Sequence, residues 1–175
     1  MPRPLIKNKV AESGLITIDL GDYLKGDEPV QVDLKDFLYK GLVLKEKDFR
    51  KQVKNLQTEP YRDKLTGIFC SSKAIIPHWA YMLMARKLNG IAREIVIGSR
   101  EVLFDRWIKS RIGRIDAKSL QGARVILKGC GEETIGAAAY AYAAMHLQPY
   151  VQSIMYGEAC STVPVYKEKK TADHE

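Results

Sequence analysis

Cysteine is scarce in this sequence of 175 residues: Cys70, Cys130 and Cys160 are an odd number, and no CxxC pair occurs. This excludes a disulfide framework and leaves reduced thiols, as expected of a cytoplasmic protein. Histidine is as rare, with His78, His146 and His174, and no Ser–His–acid order can be built from them. No apolar run reaches the ~20 residues of a membrane span. The N-terminus, MPRPLIKNKV, has no long apolar stretch, so no secretory signal is expected. Paired zinc-finger ligands and an RNP-type aromatic strand are also missing, which argues against a nucleic-acid partner. The glycines of KGCGEETIG (128–136) stand without a GxGxxG pattern or a P-loop Lys–Ser/Thr pair, so a nucleotide phosphate loop is not indicated. Glu132 and Glu133 read as acids at the start of a helix, where negative charge is favourable.

What is present is enough apolar material, 46% of residues, to build a core. The net charge is +7, which favours acidic partners in general. Its basic residues are interleaved with acids, as in KEKDFRKQVK (45–54), the pattern of a solvated helix face.

The hydrophobic pattern predicts an N-terminal strand over LITIDL (15–20), with Ile16 and Ile18 on one face, and a turn or loop over 21–30. A short helix over 32–42 follows, with Asp33 as N-cap and Gly41 as its stop; a second spans 44–56, with Phe49, Val53 and Leu56 on one stripe. Beyond this point the sequence repeats itself. KLTGIFC (64–70), IIPHWAYMLMARKLNG (75–90) and REIVIGS (93–99) read as strand, helix and strand. ARVILKGC (123–130), TIGAAAYAYAAMHLQ (134–148) and VQSIMYG (151–157) read the same way, with Cys70 matching Cys130, Tyr81 matching Tyr140 and Gly98 matching Gly157. EVLFDRWIKSRIG (101–113) is an amphipathic helix joining them. Two strand–helix–strand units imply parallel, right-handed crossovers. The expected fold is therefore α/β: a single domain over 1–175 with one largely parallel sheet. It comprises an N-terminal strand and helices over 1–60, βαβ units over 64–99 and 123–157, and a flexible tail over 168–175.

In such a sheet the carboxyl ends of the strands share one edge, where ligands bind. Cys70 and Cys130 end corresponding strands, and Cys160 lies three residues past Gly157, which ends a third. All three thiols are thus expected on one edge, beside helix N-termini that favour thiolate. Soft thiolates suit zinc, copper(I) or an iron–sulfur cluster, with Glu158, a water or a partner's group as fourth ligand and His78 as a weaker candidate. Two other outcomes are compatible with the same residues. Cys70, followed by Ser71 and Ser72, could be the nucleophile of a thiol redox or sulfur-transfer enzyme. Alternatively, the cysteines could be small buried hydrophobes in a non-catalytic interaction protein, a homodimer through its Ala-rich helix.

The runs GLVLKEKDFR (41–50), AIIPHWAYMLM (74–84), RVILKGC (124–130) and GEACSTVPVYK (157–167) resemble a bacterial family typical of Bacteroidetes, domain-of-unknown-function family 2480, over nearly the whole chain. The family's cysteine-bearing motifs match at Cys70, Cys130 and Cys160, whereas its first-helix motif need not carry a histidine at His78. Genes of that family are often found near those for iron–sulfur cluster assembly. The resemblance therefore implies an accessory role in that process, with assembly proteins as partners and zinc, iron or an iron–sulfur cluster held by the three thiols.

Overall fold

The computed structural model describes residues 14–129 and 135–169. Along the chain, β1 (Leu15–Asp19) runs into a short helix, α1 (Leu20–Leu24). Next come β2 (Val30–Asp33), α2 (Glu46–Asn55), β3 (Leu65–Phe69), α3 (His78–Leu88) and β4 (Glu94–Ile97). They are followed by α4 (Arg100–Ile112), β5 (Arg124–Lys128), α5 (Ala137–Leu147), β6 (Ser153–Glu158) and β7 (Ser161–Lys167). These elements form two compact units: Gly26–Trp107 is one, and Met1–Lys25 with Ile108–Glu175 is the other. Among the described residues no helix is long and apolar enough to cross a membrane.

The α/β class and the parallel pairing agree with the sequence. The expected single sheet does not form: there are two, one of order β2-β3-β4 and one of order β1-β5-β6-β7. Each repeated βαβ unit supplies two neighbouring strands of its own sheet, β3 beside β4 and β5 beside β6, both parallel. β2 adds to β3 and β1 adds to β5, again in parallel. A repeat fixes local crossovers, since these depend on strand and helix periods. Whether two such units share a sheet depends on which edge strands hydrogen-bond, and no periodicity encodes that.

In the unit of residues 26–107, Val32 and Ile68 lie opposite each other on neighbouring strands and are buried with Phe49, Val53, Ala80, Met84 and Leu88. α2 contributes Phe49 and Val53, one turn apart, and α3 contributes the 80–84–88 stripe. Full burial of each large side chain contributes ~1.5–3 kcal/mol. Phe49 meets Phe37 and Trp79 edge-on, with ring centroids 5.8 and 5.6 Å apart. Pro77 stands at the N-cap of α3 in an extended conformation, where its missing N–H costs nothing. The opposite face of β3 takes α4: a Cβ on Gly67 would lie 2.6 Å from Leu103 Cδ2, so only glycine permits this approach.

In the other unit, Ile18, Val125, Leu127 and Ile154 pack with Ala139, Ala143 and Leu147 of α5. The small alanines let α5 lie close to its sheet. His146 Nε2 lies 2.8 Å from the Ile115 carbonyl. A carbonyl only accepts, so Nε2 carries the proton and the imidazole has a structural role.

Two local expectations change, and one further element emerges. Residues 20–24 form α1, because the Asp19 carboxylate accepts the Gly21 N–H at 3.0 Å and caps it. Asp33 does cap, but the helix it starts is a 3₁₀ turn, Leu34–Phe37. The GEACSTVP stretch is a tight hairpin: Glu158 pairs with Ser161, and Ala159 and Cys160 form the turn between antiparallel β6 and β7. Pro164 obscured β7 in the sequence. It is tolerated because β7 is an edge strand with a register shift beside Pro164.

Candidate functional site: a cleft at the carboxyl edge of the three-stranded sheet

Parallel strands β2, β3 and β4 bring their carboxyl ends together. The residues that follow them form a cleft of about 400 Å³. Phe69, Cys70 and Ser71 line it after β3; Ile97, Gly98, Ser99, Arg100 and Glu101 line it after β4, and Tyr81 of α3 adds its ring.

Asp33, the last residue of β2, fixes the loop after β3. Its Oδ1 accepts the Lys35 N–H at 2.9 Å and the Ser71 N–H at 3.0 Å. Burial alone would raise its pKa. The Ser71 hydroxyl and N–H, the Lys35 N–H and the Lys35 charge outweigh that and hold the carboxyl below its usual range. The loop is also braced from within: Cys70 Sγ lies 3.2 Å from Ser72 Oγ, which accepts the Ala74 N–H at 3.2 Å. Tyr81 has its pKa raised, first by burial and then by the negative charge of a Cys70 thiolate and of Asp33. Its phenol therefore keeps its proton at neutral pH and serves as a donor.

On the other wall, Gly98 has φ +152° with Val102 3.3 Å from where a Cβ would stand, so glycine makes this turn into α4. The Ser99 carbonyl accepts the Leu103 N–H, starting the helix. The Ser99 hydroxyl, its own N–H and the neighbouring Arg100 charge outweigh burial and hold the Glu101 carboxyl below its usual range, so its charge is engaged at the start of α4. The Arg100 guanidinium lies over Phe104, 5.3 Å from the ring centroid, and among the described residues it forms no ion pair. The cleft thus offers one cation that forms no ion pair among the described residues, the Tyr81 hydroxyl as donor and an apolar wall, with the Glu101 carboxylate beside them.

The thiols fare differently from the sequence expectation. Cys70 is half-buried and follows β3 in the three-stranded sheet, whereas Cys160 is exposed in the β6–β7 turn of the other sheet. Glu158 is exposed at the end of β6, and His78 is exposed at the start of α3. Cys130, the acidic pair Glu132–Glu133, the glycines between residues 130 and 134, His174 and the end of the tail lie outside the described residues. Among the described residues no group of three His, Cys, Asp or Glu side chains could hold a metal ion. The reading as a metal-binding or iron–sulfur accessory protein is therefore corrected: its premise, one edge of one sheet carrying every thiol, fails because the strands divide between two sheets.

Sequence reasoning picked out Cys70 but gave Tyr81, noted as the match of Tyr140, no part in a site and took Asp33 only as a cap. It passed over Ser99 and Arg100. The signal for them was a strand ending in Gly98–Ser99 immediately before a helix, the ordinary binding position in parallel sheets.

No curated protein and no solved structure matches this chain. A family model described as "Protein of unknown function (DUF2480)" matches residues 4–168, and the chain belongs to that family.

Proposed function

We propose that residues 26–107 form a binding module for a small organic anion, a carboxylate or phosphate ester with an apolar portion, held in the cleft at the carboxyl edge of β2-β3-β4. The observation that carries this reading is that Arg100, uncommitted to any ion pair among the described residues, lines the same cleft as Tyr81, Ser71 and the apolar Phe69 and Ile97. Arg100 supplies the charge-assisted bond, and the start of α4 adds a favourable dipole. Tyr81 donates to a remaining oxygen, and Phe69 and Ile97 receive the apolar part. Free thiols at Cys70 and Cys160 suit a reducing, cytoplasmic setting.

Titration of ¹⁵N-labelled protein with phenyl phosphate and with benzoate tests this. Saturable shifts at the Ser71, Gly98 and Ser99 amides, lost in Arg100→Ala, are expected. Unmoved amides with both anions, or equal shifts in the variant, would sink the proposal.

A further inference from the structure

A second concavity, of about 440 Å³, lies between α2 and α3. Its lining is Arg50, Val53, Lys54, Leu83, Arg86 and Lys87. Leu83, half-buried, is the apolar side chain that reaches the groove, Val53 beside it being buried in the core; four cations flank them, and none of the lining residues is acidic. The acids of α2, Glu46 and Asp48, sit in its first turn.

Two of the cations have partners in the fold. Lys87 Nζ donates to the Lys54 carbonyl at 2.9 Å, closing the end of α2. Arg50 pairs with Glu46 at 2.9 Å and lies over Trp79, 5.3 Å from its ring. Lys54 and Arg86 form no ion pair among the described residues. Cations in a last turn complement the helix dipole, which accounts for the residue types at 54, 86 and 87. It does not account for Leu83 left part-exposed between them.

We infer that this groove docks an acidic, amphipathic peptide segment of a partner protein, with an aliphatic anchor on Leu83 and carboxylates on Lys54 and Arg86. Leu83 decides between ligand classes. A phosphate chain would use the cations and leave Leu83 uncovered. A nucleic acid needs a free aromatic face for its bases, and the neighbouring ring, Trp79, is taken up by Phe49 edge-on and by Arg50 over it. An acidic segment with a leucine anchor uses both parts, in the helix-in-groove manner. This site is separate from the cleft beside Cys70 and stands without it.

The test uses the full chain with methyl-labelled Val and Leu. The probe is a blocked peptide of Glu and Asp carrying two leucines one helical turn apart. Its controls are a scrambled peptide of identical composition and inorganic polyphosphate. The expected result is saturable binding that shifts the Val53 and Leu83 methyls and weakens with added salt. It should fall by at least about tenfold in Lys54→Glu/Arg86→Glu. Lys54→Gln/Arg86→Gln, checked for an unchanged circular dichroism spectrum, gives an intermediate loss and guards against a misfolded charge reversal. Absence of saturable binding, equal binding of the scrambled peptide, affinity indifferent to both variants, or binding of polyphosphate alone would each overturn the inference.

Discussion

Asp33→Ala is the most informative single substitution in the cleft, because one carboxylate oxygen does two jobs. It caps the 3₁₀ turn through the Lys35 N–H and ties the loop after β3 through the Ser71 N–H. Loss of an N-cap costs about 1 kcal/mol, and loss of one further hydrogen bond about 0.5–1.5 kcal/mol net. Both bonds are solvent-exposed, which places the sum low in that range, at about 1–2 kcal/mol. Urea unfolding followed by the fluorescence of Trp79 and Trp107 reads the unit that contains the site. With a slope near 2 kcal/mol/M, the midpoint should drop by about 0.5–1 M at constant slope. Asparagine caps nearly as well as aspartate, so Asp33→Asn should lose less than half as much. Release of the loop should also speed alkylation of Cys70, whose thiol lies 3.2 Å from Ser72 Oγ in that loop. An Asp33→Ala protein within about 0.5 kcal/mol of the parent, with unchanged Cys70 reactivity, would refute this account of how the cleft is held.

Other consequences follow from the same contacts. Acid should destabilise the 26–107 unit. Asp33 and Asp27 both titrate below their usual range in the folded protein; burial raises each, and the Ser71 and Lys35 bonds of Asp33 and the Arg93 and Lys64 pairing of Asp27 more than offset it. A depressed folded pKa gives stability that is complete above the unfolded value near 3.9 and is lost as pH falls through the folded value. Urea midpoints should therefore hold from neutrality to about pH 5 and fall below pH 4, with a smaller fall in an Asp27→Asn/Asp33→Asn protein; equal acid sensitivity would contradict this. Gly67→Ala should cost about 1–3 kcal/mol through overpacking against Leu103, and parental stability would show that α4 does not press on β3. Phe49→Ala should cost about 3–5 kcal/mol, because Phe49 is fully buried and meets both Phe37 and Trp79; a loss under about 1 kcal/mol would place that core elsewhere.

Much of the fold is legible in the sequence, because its information is local. The strand–helix–strand units are marked by strand runs and by their repeat, and the structure has their strands and helices in place. β7 is not legible: Pro164 and its polar flank read as a turn, and only pairing with β6 makes a strand of them. The division into two sheets is likewise invisible, and with it falls the expectation of a common edge for the thiols. Cys70 was found because strand ends are local features. Arg100, Tyr81 and Asp33 meet around it through the β2-β3-β4 pairing, which is a long-range fact. The same holds for the basic groove. KEKDFRKQVK reads as a solvated face on its own, and becomes a groove only where α2 lies beside Leu83, Arg86 and Lys87 of α3.

The central claim is that the cleft beside Cys70 holds a small organic anion, and the chain carries its own reference for testing it. Cys70 is half-buried in the lining, whereas Cys160 is exposed in a turn of the other unit. Alkylation rates of the two thiols can be followed by mass spectrometry in one sample, with and without saturating phenyl phosphate. The account predicts that the anion slows Cys70 and leaves Cys160 unchanged. Equal rates with and without the anion, or equal slowing of both thiols, would contradict it.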